Sequence, residues 1–508
     1  MIGNQVNYDN LLYRRQFLLA RTALALFDGW KCHEIDHFYL YTHPDLEVTM
    51  TTDHTSSLIL IGYIFDPNHP KKTNENILTD ISALITTHHD LTQVLKSYVG
   101  RYALLYRDAA NFTIRHDLYG VREIYYYTKP NRVVCGSQPG LLSKYSEPQL
   151  GFSQDPHIQH FYNIEMKAVR LGRLWVGDDT YFHNIKHLTP NHYLDIFTLT
   201  AQRYWPDQKL EKMDLDTAIE RSCTYLQGVM HAVTDRFSVM MAVTAGYDSR
   251  SLLAASKDMR DQIYYFINKE VPLDDTSPDI YIPKAMFKKL DIPFHIHDVS
   301  GAVDDQFKKI YLHNCFWAQE KSLPTIYNVY FKKLQDKINL LAIGEPGREY
   351  YGHAPSNLDE YFLARCLKYK KSAFATRQCA KWLKEVKGIS KEKNIDIMKL
   401  FLIEMLVGYW GAIGNAESDI AMEEFNPYSS HYIIEIMLSY DRRQGDLFKG
   451  MFDKMWPELN NFPLNPPDSM SEWLKQILRK TKLFTPLQRL VYRTDRWKYK
   501  RAMVGQSL

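Results

Sequence analysis

The chain is 508 residues long, more than one hydrophobic core usually supports, so two domains are the expectation. Apolar residues make up 45% and charged residues 24%, the ordinary balance of a soluble globular protein, and a net charge of +3 says little until its distribution is seen. Six scattered cysteines (Cys32, Cys135, Cys223, Cys315, Cys366, Cys379) include no C-x-x-C pair, which argues against a disulfide framework or a zinc site and for a reducing compartment.

Arg14-Arg15 followed by Phe17-Leu18-Leu19 has the outline of a twin-arginine export signal. Arg21 interrupts the apolar stretch, Asp28 follows and no small-x-small cleavage site appears. The segment is therefore expected to be an amphipathic helix or a strand of the fold, and the protein cytoplasmic. The first two hundred residues read mainly as short strands. Residues 58–64 form a buried strand, about 75–89 a helix, and 102–106, 112–115, 124–127 and 132–135 further strands separated by turn residues. This pattern predicts an α+β domain of packed sheets. A strand ends at Arg203-Tyr204-Trp205-Pro206, and the stretch to Asp214 reads as a linker.

Beyond it strands alternate with helices: strands over 237–243, 262–268, 294–299 and 339–343, helices over 249–255 and 279–290. That rhythm indicates a parallel sheet of the doubly wound kind. The remainder, from about Asn357, reads as mostly helical. Residues 400–413 are nearly apolar but too short to span a bilayer, and they contain Glu404, so a buried helix is expected.

The most informative segment is Met241-Ala242-Val243-Thr244-Ala245-Gly246-Tyr247-Asp248-Ser249-Arg250, where an apolar strand runs through a small-residue turn into a helix. Thr244, Ala245 and Gly246 let backbone approach an anion, and amides at the helix start can point at phosphate. Asp248 is placed to hold a magnesium ion between phosphates. The bland alternative is a tight turn with a helix cap.

Thr244-Ala245-Gly246-Tyr247-Asp248-Ser249 resembles the Ser-Gly-Gly-x-Asp-Ser pyrophosphate loop of the asparagine-synthetase superfamily. Ser277-Pro278-Asp279 and the helix after it resemble that family's next unit. Gly344-Glu345-Pro346-Gly347-Arg348-Glu349-Tyr350-Tyr351-Gly352 resembles its Gly-Glu-Gly-Ser-Asp-Glu-x-x-Gly loop, and Phe425-Asn426-Pro427-Tyr428 its Pro-Phe-Leu-Asp motif. The N-terminal part is similar to the family's glutaminase domain through Val99-Gly100-Arg101-Tyr102-Ala103-Leu104, Asp117-Leu118-Tyr119-Gly120, Gly136-Ser137-Gln138 and Ile185-Lys186-His187-Leu188-Thr189-Pro190-Asn191.

The resemblance implies a glutaminase-like α+β domain (an Ntn-hydrolase-like sandwich) over residues 1–206. It implies an α/β adenine nucleotide α-hydrolase-like domain with a helical C-terminal part over 207–508. It further implies an ATP- and Mg2+-dependent ligase that activates a carboxylate as acyl-adenylate for attack by ammonia or an amine. Surface-polysaccharide or specialised-metabolite synthesis is the setting that relatives with such loops suggest. Thr244, Ala245, Gly246, Tyr247 and Ser249 would then cradle phosphate, with Asp248 as the metal ligand. Gly344 and Ile267, at the carboxyl ends of parallel strands, would lie close to the nucleotide. Glu345 would be the base for the amine, and Glu417 (or Asp419) a further active-site carboxylate.

The sequence also departs from the family. The chain begins Met1-Ile2-Gly3, where glutamine-dependent members carry a nucleophilic cysteine, so glutamine hydrolysis is expected to be absent. Arg348 stands where a second magnesium-binding aspartate is usual; it can neutralise pyrophosphate instead. The family's late lysine is replaced by Leu464 or Asn465, with Lys449, Lys454 or Lys475 as possible substitutes. Residues 473–501 hold ten Lys or Arg and one acid, Asp495, interleaved with apolar residues. This segment either meets an anionic substrate or a membrane surface or packs as a basic helix on the domain. No basic patch elsewhere suggests nucleic acid. A non-catalytic binding or regulatory relative is the competing class.

Overall fold

A computed structural model describes residues 8–467, except 26–28, 54–55, 88–89, 148, 150, 170–174, 271–272, 321, 345–357 and 441–445, together with Leu474. The first half supplies β1 (Phe17–Ala20), β2 (Lys31–Ile35), β3 (Phe38–Thr42), β4 (Val48–Thr52), β5 (Ser56–Phe65) and helix α1 (Asn74–Thr86). It continues with β6 (Val99–Asp108), β7 (Phe112–His116), β8 (Tyr125–Tyr127), β9 (Val133–Gly136), β10 (Ile185–His187), β11 (His192–Asp195) and β12 (Thr200–Arg203).

These strands form two antiparallel six-stranded sheets, in the orders β10-β8-β9-β1-β3-β2 and β12-β11-β7-β6-β5-β4. One cluster between them joins Phe17, Leu19 and Leu40 of the first sheet to Ile59, Ile61, Leu105 and Ile114 of the second. The sheets therefore face each other across a shared core. Alternate residues go the other way: Leu58 and Leu60 pack with Ile77, Leu78 and Ile81 of α1. Strands covered on both faces read as unbroken apolar runs, which is why residues 58–64 were legible. Helix α1 starts at a reciprocal cap in which Thr73 and Asn76 satisfy each other's backbone amides.

The Arg14-Arg15 segment leads into β1, all four residues of which are buried. Of the two alternatives, helix or strand, the segment takes the strand, in the interior of its sheet. Arg14 pairs with Asp45 (2.7 Å) and donates to the Ile420 carbonyl (3.0 Å), while Arg15 donates to the Asp419 carbonyl (2.5 Å). The twin arginines thus tie the first half of the chain to the second.

The second half opens with α2 (Leu215–Arg236), then β13 (Val239–Ala242), α3 (Tyr247–Ala255), β14 (Ile263–Lys269), α4 (Pro278–Leu290), β15 (His295–Asp298) and β16 (Ile338–Leu340). Helix α5 (Ala373–Glu392) and the long helix α6 (Ile397–Ser418) precede β17 (Glu424–Phe425), α7 (His431–Ser439) and α8 (Asp446–Met455). The five strands are parallel, in the order β15-β14-β13-β16-β17.

Helix α6 is long and apolar enough to cross a membrane, yet its most apolar window is 78% buried in the protein. Its one acid in that run, Glu404, is fully buried and accepts from Arg203 (2.6 and 3.0 Å), Asn191 (3.1 Å) and Trp382 (2.8 Å). A buried charge persists only when paired in this way. The helix is therefore a core element. The largest apolar cluster draws on both halves, from Tyr63, Phe65 and Val99 to Phe425 and Tyr428.

Candidate functional site

Val243 still donates to the Phe266 carbonyl of β14 (3.0 Å), so the loop opens only after pairing ends. The sheet grows outward from β13 in two directions, to β14 and β15 on one side and to β16 and β17 on the other. The crevice at the carboxyl ends of β13 and β16 is thus its switch point, the place where open parallel sheets hold ligands.

Gly246 caps α3 in extended backbone (φ −78°, ψ 168°) without a side-chain bond of its own. Upstream amides are engaged within the loop. Thr244 N donates to Ser249 Oγ (3.1 Å), and Gly246 N donates to Thr244 Oγ1 (3.2 Å). Ala245 N donates to Asp279 Oδ1 (2.9 Å), from the first turn of α4. One amide of the predicted phosphate cradle therefore already holds an anionic oxygen, the chemistry a phosphate would present. A phosphate reaching that amide competes with Asp279. The next amides, in the first turn of α3, lack intrahelical partners by construction and carry the positive end of the helix dipole.

Asp248 is buried, and its carboxylate lies against Gly344. A Cβ at position 344 would stand 2.7 Å from Asp248 Oδ1 and 3.4 Å from Tyr428 Cζ. A side chain there would push the Asp248 carboxylate aside. The Tyr428 hydroxyl donates to the Asp248 carbonyl (3.2 Å) and shares a short hydrogen bond with Ser251. Asn426 grips the other wall, accepting from Ile343 N and donating to Ile343 O, both at 3.3 Å. The loop, Gly344 and the 425–428 motif are therefore neighbours, although at least 80 residues separate each from the next in the chain.

Of Leu464 and Asn465, Asn465 reaches the loop. Its amide donates to the Ala245 carbonyl (3.1 Å), and its Oδ1 lies 3.6 Å from where a Cβ on Gly246 would stand. Asn465 adopts the left-handed region (φ 43°), which asparagine tolerates better than most residues. Leu464 instead packs against the core. Arg250, fully buried in α3, secures this strap by donating to the carbonyls of Leu459 (3.4 Å), Phe462 (2.8 Å) and Pro463 (2.8 Å). Burial pushes its guanidinium down to about 10. Sequence reasoning passed over Arg250; an arginine flanked by the buried positions of α3 was the signal available.

The remaining candidates are placed as follows. Tyr247 packs its ring on Phe448 (5.8 Å between centroids), and Ser249 serves as the acceptor inside the loop. Ile267 is buried in β14, one residue beyond the carbonyl that receives Val243. Glu417 is buried, and its bonds run to the backbone amides of Gln319 and Glu320 (3.1 Å for the latter). Asp419 is bound bidentately by Arg101 (2.7 and 2.8 Å). Lys449 is exposed on α8 and Lys454 pairs at the surface with Glu220 (3.7 Å). Glu345, Arg348, Lys475 and the basic C-terminal segment, Leu474 apart, lie outside the described residues.

Among the described residues no group of three or more His, Cys, Asp or Glu side chains could hold a metal ion. Magnesium bridging phosphates commonly takes only one or two protein carboxylates, so Asp248 alone fits that use.

No protein-family model matches the chain, and no curated protein matches it significantly. Among solved structures it is similar to glutamine phosphoribosylpyrophosphate amidotransferase from B. subtilis complexed with ADP and GMP. That likeness has 11% identity over 59% of this chain and 65% of that one, with a TM-score of 0.23. An allosteric regulatory enzyme of purine biosynthesis is similar at 12% identity, over 61% of this chain and 75% of that one, with a TM-score of 0.22. The chain thus spans under two thirds of the first of these structures, and at such scores neither likeness carries a conclusion about activity.

Proposed function

We propose that the chain is an AMP-forming carbon–nitrogen ligase of the asparagine-synthetase type, which uses ATP to activate a carboxylate for attack by ammonia or an amine. The observation that supports this is the β13–loop–α3 unit at the switch point of the parallel sheet, with Asp248 lodged against Gly344. ATP supplies the adenylyl group: a carboxylate oxygen displaces pyrophosphate from the α-phosphorus, and the amine then displaces AMP from the carbonyl carbon. Asp248 would hold magnesium, which would bring positive charge to the phosphates, and the first-turn amides of α3 would donate to phosphate oxygens. Arg250 fixes the strap that brings Asn465 to the loop. Asn465 carries no charge, so Arg348 would neutralise pyrophosphate in place of the lysine, beside any metal that Asp248 held. The fold that accompanies this reading is a glutaminase-like sandwich over 1–206 and an adenine nucleotide α-hydrolase-like domain over 207–508.

Glutamine hydrolysis has no role in the proposal. Among the described cysteines, burial raises the thiols of Cys135 and Cys379 well above their usual range and pushes Cys223 up to about 11, the reverse of an activated nucleophile.

The test is release of AMP and pyrophosphate from ATP and magnesium, with pools of candidate carboxylates and ammonia or amines, beside Asp248→Ala. Carboxylate-dependent AMP that disappears in the variant supports the ligase. Failure of the wild type both to bind ATP and to release AMP sinks it. A second reading, a nucleotide-binding relative without catalysis, is favoured by the internal engagement of the Thr244, Ala245 and Gly246 amides. ATP binding without AMP release across broad pools would select that reading.

A further inference from the structure

A polar cavity of about 410 Å3 lies where β10 and β12 meet helices α5 and α6, and no residue of the loop after β13 lines it. Its volume is that of a small-molecule site. His187 of β10 lines it at 1% exposure, and neither ring nitrogen has a hydrogen-bond partner among the described residues. Glu123 Oε1 stands 3.7 Å from Nε2, beyond bonding distance. The ring cannot turn to find another partner: Tyr125 stacks on it (4.5 Å, 16°) and Tyr409 meets it edge-on (4.9 Å, 67°). Burial pushes His187 down to about 3, so at neutral pH it offers one N–H donor and one acceptor.

Gln378 of α5 presents a second unmet group. Its amide nitrogen donates to Asp179 (2.6 Å), while Oε1, in a residue 6% exposed, has no partner among the described residues. Gly177 (φ +75°) makes room for this amide, since a Cβ there would overlap it. The charges of the wall are already matched. Lys186 bonds Asp178 (2.8 Å), Lys381 bonds Asp178 (2.6 Å), and Arg203 bonds Glu385 (2.7 Å).

A buried polar group without a partner calls for an explanation, and beside a cavity a ligand or water can supply one. We propose that this cavity binds a small, uncharged, polyhydroxylated molecule of monosaccharide size, whose hydroxyls complete His187 and Gln378. A hydroxyl donates and accepts at once, which suits a neutral imidazole beside an amide oxygen. An ionic ligand would find its countercharges already paired. The Thr189 hydroxyl, bonded to Tyr409 (3.1 Å), adds a further polar contact on the same wall.

The experiment is ligand-observed NMR on the full chain without nucleotide, using D-glucose, N-acetyl-D-glucosamine and myo-inositol as probes and D-glucuronate as the charged control. His187→Phe keeps the stacked ring and removes both nitrogens. Thr200→Trp adds bulk at an exposed position on the cavity rim, so it reports even where the buried substitution disturbs folding. The expected result is binding of a neutral probe, weakened about tenfold or more in the folded variants, with glucuronate weaker than glucose. Three results would overturn the proposal: no neutral probe binds, which leaves water as the occupant; binding is unchanged in Thr200→Trp; or glucuronate binds more tightly than glucose. Nucleotide is absent throughout, so the outcome is independent of the ligase reading.

Discussion

Two regions of the molecule concentrate charge, and they use it in opposite ways. At the junction of the two halves, Arg101 binds Asp419 bidentately and reaches Glu423 (2.9 Å), Arg122 binds both oxygens of Glu423 (2.9 Å each), and Arg15 closes on the same carboxylate (3.7 Å). Burial alone would raise Glu423, but Arg122 and Arg101 outweigh it and hold this carboxyl below the usual range. At the loop after β13, charge meets backbone instead. Asp279 is held by the Ala245 amide, Arg250 by three carbonyls, and Asp248 lies beside a glycine. Side-chain charges closed on one another build a junction. Charges braced by backbone, at the mouth of a parallel sheet, shape a loop and the strap beside it.

The comparison breaks if either region behaves like the other. The largest effect expected is on activity: Asp248→Ala should lower carboxylate-dependent AMP release by about a thousandfold, the scale for removing a charge-stabilising group, with little change in melting temperature. At the junction the order reverses. Arg101→Met should destabilise the chain by about 3–5 kcal/mol in denaturant titration, because it leaves buried carboxylates unpaired. Gly344→Ala sharpens the boundary between the two. Its Cβ crowds Asp248 Oδ1, so it should cost about 1–3 kcal/mol of overpacking and weaken ATP-dependent turnover as well.

The most gradual effect concerns pH. Burial pushes His431 down to about 3, while its Nε2 donates to Asn191 Oδ1 at 3.0 Å. The unfolded chain takes up this proton near 6.5 and the folded chain only near 3. Stability should therefore fall as pH drops from about 6.5 toward 3, by at most about 1.4 kcal/mol per pH unit from this group. Melting curves of His431→Phe should show a shallower acid slope than the wild type. An unchanged slope would mean that another group carries it.

Much of the fold was legible because it is written locally. Residues 58–64 declare β5 as an apolar run, and the alternation of strand and helix from 237 to 299 announces parallel strands, since each signal lies within a dozen neighbouring residues. The loop Thr244–Gly246 was legible for the same reason. Arg14 and Arg15 were harder, because two arginines before an apolar stretch look alike whether they precede an export signal or clamp residues 419–423. Glu417 and Asp419 share a short stretch with no local mark of difference, yet one caps the 319–320 backbone and the other meets Arg101.

Local order along the chain was thus enough to mark β5, the alternating strands and helices from 237 to 299, and where the small-residue turn falls. Side-chain periodicity and turn chemistry act between near neighbours, and they can be read one segment at a time. The tertiary structure decided what sits beside that turn: Gly344 under Asp248, Asn465 rather than Leu464 at Ala245, and Arg250 beneath the strap. It also decided that Glu404 is paired and that His187 is left facing a cavity. Those outcomes depend on residues separated by up to hundreds of positions meeting in one low-dielectric space, where a single partner gained or missed settles the role of a polar group.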